Sequence, residues 1–301
     1  MYSEVIKTVN SVPTRILTWG NPLESDQGEV IVCISGNPGL PDFYIEFASE
    51  LHKLTGLPMC VIGQAGHDCV TNQQACVLKN NKHLFSLQGQ VEHKLNFINE
   101  CIDNNCHIHL IGHSIGTWMI IEMLNRHSEL INKILSINLL FPTIQRMALA
   151  PNGKYITNVL SRIHILLMFF INIIHILPEA VRSFFINLYI NWNKLPPSYN
   201  SRIKKFLSPT SFEKMLFLSY DEMASVTDIN RSGIDKIKHL TNVIYSDRDG
   251  WAPVSYMEDL KPFQPPLQMK LVSVDHAFVL KSSEQVASMT EGFIKSKKLK
   301  H

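Results

Sequence analysis

Apolar runs of strand length alternate with segments of helical periodicity along most of this chain. The runs are rich in β-branched residues, which favour strands, and they cover residues 15–19, 29–34, 59–62, 108–111, 134–141, 243–245 and 269–274. Apolar residues three or four positions apart predict helices over about 43–54, 89–101, 115–130 and 285–294. Strands that alternate with helices predict an α/β protein with a mostly parallel, doubly wound sheet. We expect the first two runs to form its opening pair.

This alternation breaks between Phe141 and Val243, where about 100 residues contain no convincing strand. We interpret residues 142–242 as a helical cap inserted over the C-terminal edge of the sheet. Residues 1–141 and 243–301 then form the core. Sheets of this kind bind ligands at that edge, so the cap is expected to line a substrate pocket.

A serine flanked by two glycines follows the apolar run at 108–111. The segment Gly112-His113-Ser114-Ile115-Gly116 has the G-x-S-x-G pattern of a nucleophile elbow, a sharp turn from a strand into a helix. Glycines are needed at 112 and 116 because the turn leaves no room for a Cβ atom. The pattern alone recurs by chance, but the strand before it and the buried-helix pattern after it are the required context. The sequence therefore predicts that Ser114 is a nucleophile.

The serine needs a base, and thirteen histidines are available. His276 is the best candidate because it lies between a β-rich run and the last predicted helix, on a loop able to reach the elbow. His113 adjoins Ser114 and is expected to point away and to pack or hydrogen-bond locally. His67 follows an earlier strand. It is a candidate for supporting the pocket, although a structural role is the favoured interpretation.

The base in turn needs a carboxylate that orients it. Asp249 is the predicted acid, because it lies in a polar turn after a strand and before Pro253. Asp247 is the rival, and Asp275 is poorly placed because it adjoins His276 in sequence. The order Ser, Asp, His is the one expected for this kind of elbow.

Two backbone N–H groups are expected to form an oxyanion hole. One belongs to Ile115, directly after the nucleophile. The other is predicted in the loop Ser35-Gly36-Asn37-Pro38-Gly39, which follows the second apolar run. Pro38 has no N–H group, so Asn37 is the expected donor. This chemistry requires neither a metal ion nor an organic cofactor.

Charge and cysteine usage narrow the class of protein further. The formal net charge is +2 and the only basic cluster is the tail from Lys295 to Lys300, so no nucleic-acid partner is expected. The six cysteines form no C-x-x-C pair, which favours a reducing compartment over a disulfide framework or a zinc site. Residues 1–15 lack the apolar core of a secretory signal, so we expect the protein to face the cytosol.

Several segments, in order and over nearly the whole chain, resemble the lipid droplet-associated hydrolase family, a branch of the α/β-hydrolases. The matching segments are 36–39 with 43–44, 65–67, 87–95, 110–116, 140–147, 151–153, 249 with 251 and 253, and 276–278. The resemblance implies an α/β-hydrolase fold and a serine hydrolase of lipid esters. It also implies residence on lipid droplets and the endoplasmic reticulum, on the cytosolic face. The family's catalytic serine, aspartate and histidine fall on Ser114, Asp249 and His276.

The run from Ile163 to Leu177 contains no formally charged residue and is followed by Pro178. It is either a buried helix of the cap or part of a lipid anchor over about residues 160–192, and the resemblance favours the anchor. A single membrane crossing here would separate Ser114 from Asp249 and His276. A lipid-embedded segment must therefore return to its side of entry, as a hairpin with arms of about nine residues or as an interfacial helix.

The sequence thus predicts a hydrolase of a lipid ester that acts at a droplet or reticulum surface through its cap. Sterol esters, acylglycerols and retinyl esters all suit an apolar pocket. Two alternatives remain open. The protein is a droplet-organising or tethering scaffold with little hydrolytic activity, or it is an acyltransferase that passes the same acyl group to an alcohol.

Overall fold

The structure is a computed structural model that describes residues 1–24, 28–68 and 77–298. Cys69, Cys76 and Lys300, which entered the expectations about redox compartment and tail charge, lie outside the described residues. The four cysteines in the described part, at positions 33, 60, 101 and 106, do not form disulfides.

One sheet of eight strands organises the described residues, in the order β1-β2-β4-β3-β5-β6-β7-β8. The strands are β1 Ser3–Val9, β2 Val12–Trp19, β3 Gly28–Ile34, β4 Met59–Ile62, β5 Cys106–His113, β6 Ile134–Leu140, β7 Thr241–Ser246 and β8 Gln268–Val272. The pairs β1–β2 and β2–β4 are antiparallel, and every other pair is parallel. The prediction of an α/β fold with a mostly parallel sheet is confirmed.

The predicted opening pair is wrong. β2 pairs with β1 and β4, whereas β3 lies between β4 and β5 as a parallel partner of both. The pattern did not indicate β1 because this edge strand buries only Val9 fully and carries polar residues along both faces. β3 is buried from Val30 onwards, as expected for a strand with partners on both sides.

Helices cover both faces of the sheet. The helices are α1 Ile45–Thr55, α2 Lys82–Phe85, α3 Leu87–Cys101, α4 Ile115–Arg126, α5 Pro151–Tyr155, α6 His164–Ile176, α7 Glu179–Asn193, α8 Tyr199–Phe206, α9 Pro209–Ser225, α10 Arg231–Ile237, α11 Val254–Met257 and α12 Ser283–Lys298. Val30 and Val32 of β3 contribute to the core with α3 and α4, while Ile31 and Cys33 contribute to the core with α1 and α12. This alternation gives the two layers of a doubly wound sheet.

Between β6 and β7 the described residues are helical, from α5 to α10. α6 and α7 are separated by Leu177 and Pro178, as expected where proline cannot continue a helix. The charge-free run forms one helix of 13 residues before the break at Pro178, so the predicted arm length of about nine residues is wrong. Its physical reason is that the run contains neither glycine nor proline before Pro178.

The two helices α6 and α7 expose an unusual number of large apolar side chains to solvent. These are Ile165, Leu166, Phe169, Phe170, Ile176, Val181, Phe184, Phe185, Leu188, Tyr189 and Trp192, which we call the apolar face. Within the described part of the chain, no single helix is long and apolar enough to cross a bilayer. Residues 151–160 and 164–176, which meet at 87°, reach that length and composition only together.

Candidate active site

Ser114 lies at the sharp turn between β5 and α4, with φ 54° and ψ −125°. This left-handed conformation is strained for a residue with a Cβ atom and is typical of a nucleophile elbow. A Cβ atom on Gly112 would lie 2.9 Å from the backbone of Gly116, and one on Gly116 would lie 2.7 Å from the carbonyl oxygen of Ile34. Both predicted elbow glycines are therefore required by close approach of backbone.

The three predicted catalytic side chains lie together beyond the carboxyl ends of three parallel strands. His276 Nε2 is 2.9 Å from Ser114 Oγ, and His276 Nδ1 is 2.7 Å from Asp249 Oδ2. The other carboxylate oxygen, Oδ1, accepts hydrogen bonds from the backbone N–H groups of Trp251 at 2.7 Å and Ala252 at 3.0 Å. Residues more than 160 positions apart in sequence thus form one continuous hydrogen-bonded chain.

The surroundings of Asp249 keep its carboxylate ionised. Burial on its own would raise the pKa of Asp249, but the hydrogen bonds from His276, Ala252 and Trp251 outweigh it and lower the pKa below its usual value. An ionised carboxylate can only accept, so the proton between these side chains resides on His276 Nδ1. In the neutral imidazole, Nε2 is then free to accept the Ser114 hydroxyl proton.

The two rival carboxylates have other surroundings. Asp247 accepts a hydrogen bond of 2.8 Å from the hydroxyl of Ser273, and the side chain of Asp275 is exposed. Of the three candidates, Asp249 is the one that the structure brings to His276.

The glycine-rich loop after β3 passes directly against the nucleophile. A Cβ atom on Gly36 would lie 2.8 Å from Ser114 Cβ. The next residue, Asn37, is held by its side-chain amide, whose Nδ2 lies 3.1 Å from the Met215 carbonyl oxygen, 2.9 Å from Ser219 Oγ and 3.1 Å from Glu222 Oε1. All three partners belong to α9. The loop that carries the predicted oxyanion donor is thus fixed by a helix of the predicted cap, which sequence reasoning missed.

The carboxyl group of Glu222 is buried beside this loop. Burial raises the pKa of Glu222 to about 8, although the hydrogen bond from Asn37 opposes the shift. The group is therefore largely protonated and uncharged at neutral pH. A neutral acid can be buried here at a much smaller cost than a carboxylate.

A relay of hydrogen bonds joins the glycine-rich loop to the His276 loop through the elbow. The Gly36 N–H donates to the Tyr44 hydroxyl oxygen at 2.8 Å, and that hydroxyl lies 2.6 Å from His113 Nδ1. His113 Nε2 donates to the carbonyl oxygen of His276 at 3.0 Å. Burial, together with the nearby His276, lowers the pKa of His113 to about 3, so the ring is neutral and Nδ1 accepts from Tyr44. His113 thus hydrogen-bonds locally and does not approach as a base.

His67 lies behind the glycine-rich loop and is absent from the cavity lining in the described residues. Its Nδ1 donates to the carbonyl oxygen of Pro38 at 2.8 Å. Burial lowers the pKa of His67 to about 3, which keeps the ring neutral. The His67 side chain therefore stabilises the glycine-rich loop through Pro38.

A cavity of about 780 Å³ extends from the triad to the underside of α6 and α7. Its lining includes Asn37, His113 and His276 from the loops around Ser114, and Leu177, Phe185 and Ile186 from α7 and the segment before it. Its wall is mostly apolar, which suits an acyl chain or another apolar group. Phe185 and Tyr189 line the cavity and also belong to the apolar face, so the cavity reaches the surface there.

Among the described residues, no group of three or more His, Cys, Asp or Glu side chains is arranged so that it could bind a metal ion. What the arrangement can do is activate a hydroxyl. A strained serine, a histidine within hydrogen-bonding distance of it and an ionised aspartate are the parts needed for nucleophilic attack on an acyl carbon.

A family model and the relatives named here all indicate the same family. The family model described as lipid-droplet associated hydrolase matches residues 27–279. A relative from Drosophila melanogaster named lipid droplet-associated hydrolase is 38% identical, with 97% of each chain covered. One of the same name from Rattus norvegicus is 31% identical and covers 89% of this chain and 85% of its own.

Solved structures agree on the fold. A membrane phospholipase A shares 17% identity at a TM-score of 0.67, covering 99% of this chain and 87% of its own. A serine hydrolase involved in carbazole degradation shares 13% identity at a TM-score of 0.65, covering 98% of this chain and 100% of its own. Such low identities establish the α/β-hydrolase fold and nothing finer.

Proposed function

The chain belongs to the lipid droplet-associated hydrolase family, and from this premise we propose that it is a serine hydrolase of lipid esters that works at a lipid surface. The observation that carries the proposal is the chain of hydrogen bonds from Asp249 through His276 to Ser114 at the end of an apolar cavity. A structural role alone gives no reason to hold a serine in a strained turn against a histidine.

In the proposed reaction, His276 Nε2 takes the hydroxyl proton as Ser114 Oγ attacks the ester carbonyl carbon. The backbone N–H groups of Asn37 and Ile115 stabilise the negative oxygen, and Asp249 stabilises the charged imidazole. The proton then passes from His276 to the departing alcohol oxygen, which leaves the acyl group on Ser114. Water, deprotonated by His276, attacks the acyl-enzyme and releases the fatty acid.

Contacts of the glycine-rich loop support Asn37 as a backbone donor to the negative oxygen. Asn37 is pinned through its side chain, so its position relative to Ser114 is set before substrate binds. Such preorganisation is what makes backbone donors effective, because no reorganisation is needed as charge develops. Losing one donor of this kind costs about 10²–10³ in rate in comparable sites.

The substrate is proposed to be a neutral or weakly polar lipid ester, such as a sterol ester or an acylglycerol, whose acyl chain lies in the cavity. A volume of about 780 Å³ is within the usual range for sites that enclose a small molecule. The mostly apolar wall supports acyl binding.

We further propose that residues 142–242 act as a cap and that its apolar face docks on the cytosolic side of a droplet monolayer or the endoplasmic reticulum. Exposed apolar surface of this extent is costly in water and marks an interaction site. Ser114 precedes the cap and Asp249 and His276 follow it, so docking without crossing keeps the site whole. α6 and α7 are suited to lie in the interface.

The test is a panel of emulsified lipid esters incubated with purified protein and with Ser114→Ala. We expect release of fatty acid by the wild type and a loss of at least about 10³-fold in the variant. The panel is repeated with an alcohol acceptor, because an acyltransferase would form a new ester instead of free acid. Equal, negligible release by both proteins would support the scaffold instead.

A further inference from the structure

Arg182 is the one permanently charged side chain among the described residues that line the cavity. It lies in the first turns of α7 and lines the cavity together with apolar residues such as Leu177, Phe185 and Ile186. A guanidinium group at the wall of an apolar cavity requires a physical reason, because desolvating a cation is costly.

Among the described residues, no carboxylate forms a hydrogen bond or a close ion pair with this guanidinium, and the charge of Glu179 acts on it only from a longer distance. Its Nε is buried without a hydrogen-bond acceptor. Neighbouring cations differ: Lys204 pairs with Glu179, and Arg202 forms two hydrogen bonds of 2.6 and 2.7 Å with Glu46. Glu179, the only acidic residue of α7, forms its hydrogen bond with Lys204 and has a weaker charge interaction with Arg182.

Guanidinium groups bind carboxylates and phosphates in a bidentate manner, and such charge-assisted bonds strengthen where water is excluded. We propose that Arg182 binds the oxyanion head group, a carboxylate or a phosphate, of a lipid whose chain lies in the cavity. The proposal rests on the proposed function and extends it, since it adds an anion-binding subsite where α7 lines the cavity.

Two sources can supply this chemistry. A free fatty acid released by hydrolysis carries a carboxylate, so the subsite would hold the product on its way to the lipid phase. A phospholipid at the docking surface carries a phosphate, so the subsite would engage a head group. Both have an acyl chain that matches the apolar wall, and they differ only in the anion.

The test is isothermal titration calorimetry with three ligands of one chain length: palmitic acid, hexadecyl phosphate and hexadecanol, each below its critical micelle concentration. Arg182→Gln is expected to weaken binding of at least one anionic ligand by about tenfold or more and to leave hexadecanol unchanged. Arg182→Lys should retain part of the affinity. Arg162→Gln, which removes an exposed cation of the same segment away from the cavity, is the matched control and should change nothing.

Tighter wild-type binding of palmitic acid would identify the product, and tighter binding of hexadecyl phosphate the head group. An equal loss for all three ligands in Arg182→Gln would mean that the side chain only packs, and no loss for either anion would mean that it only faces water. Either result overturns the proposal. Thermal unfolding of each variant checks the fold. Because no turnover is needed, failure here is distinct from failure of the proposed hydrolysis.

Discussion

Asp249 and Asp247 lie two residues apart in one loop, but only Asp249 reaches His276. The sequence favoured Asp249 because of its place in the polar turn before Pro253, with Asp247 as the rival. In the polar turn after β7, Oδ1 of Asp249 is fixed by two backbone N–H groups, which leaves Oδ2 for the histidine. The conformation of this turn therefore determines that Asp249, and not Asp247, contacts His276.

We predict that Asp249→Asn lowers kcat by about 10³–10⁴-fold, because the amide stabilises the wrong imidazole tautomer and cannot balance its charge. Asp247→Asn is the matched control and should stay within about twofold, since within the described part of the chain its side chain bonds to Ser273 at the surface and not to His276. Steady-state hydrolysis by the two variants measures this. A similar loss in both would remove Asp249 from its proposed role.

Glu222 makes a second prediction about a single residue. Its carboxyl keeps its proton up to a pKa of about 8 in the folded chain, whereas in the unfolded chain it loses it near the ordinary value of 4.5. Between these values the folded state binds more protons, so this group makes the free energy of unfolding fall as pH rises from about 5 to 8.

Glu222→Gln should flatten that fall, because an amide does not titrate and can still accept from Asn37. Glu213→Gln, on the exposed side of the same helix α9, is the control and should keep the wild-type slope. Urea unfolding at several pH values measures the difference. If the Glu222→Gln slope matched that of the wild type, the buried acid would not be titrating in this range.

Sequence reasoning indicated the residues of the site that belong to a motif, and missed those that do not. Ser114, Asp249 and His276 follow from the elbow pattern and the expected order. The contacts of Asn37 with Glu222 and of Tyr44 with His113 join positions 185 and 69 residues apart. No local pattern encodes such pairs, because only the packing of α9 and α1 against the loops creates them.

At the scale of elements, the elbow depends on two backbones approaching each other closely. We predict that Gly116→Ala destabilises the protein by about 1–3 kcal/mol, because the new methyl group meets the backbone oxygens of Ile34 and Ser35, which cannot rotate away. The measurement is the free energy of unfolding in urea.

Gly292→Ala is the matched control for this substitution. A Cβ atom there meets nothing within 4 Å, and the residue lies inside helix α12. Alanine is expected to stabilise that helix by roughly 0.5–1 kcal/mol. If both substitutions were neutral, the elbow would tolerate a side chain and the steric argument would be wrong.

Most elements could be predicted from periodicity, with bounds within a few residues, but strand pairing could not. The run at 29–34 was recognised as β3, yet its position between β4 and β5 depends on contacts with strands far along the chain. β1 gave no signal because an edge strand needs few apolar residues. α6 is one uninterrupted helix because it contains no glycine or proline. The nine-residue arms were estimated from the thickness of a lipid layer, which does not take this into account.

At the scale of the whole molecule, α6 and α7 have two surfaces with different roles. Their inner residues line the cavity and their outer residues form the apolar face. A lipid leaving a monolayer would therefore reach the cavity without crossing bulk water, if the apolar face docks as proposed.

We predict that replacing Phe169, Phe184 and Trp192 by serine weakens binding to artificial droplets by at least about tenfold, because each large apolar side chain contributes on the order of 1.5–3 kcal/mol when fully buried. These side chains are 58%, 65% and 85% exposed, so the fold should persist. Leu271→Ser, at an exposed apolar position of β8, is the control. Flotation of protein with droplets measures binding, and unchanged flotation of the triple variant would place the docking surface elsewhere.

Reaction with a fluorophosphonate probe shows whether Ser114 is an activated nucleophile. We expect the purified wild-type protein to be labelled on the peptide that contains Ser114, and Ser114→Ala to stay unlabelled. Labelling that persists in Ser114→Ala, or a folded wild-type protein that remains unlabelled under conditions where it binds lipid, would show that Ser114 is not the nucleophile.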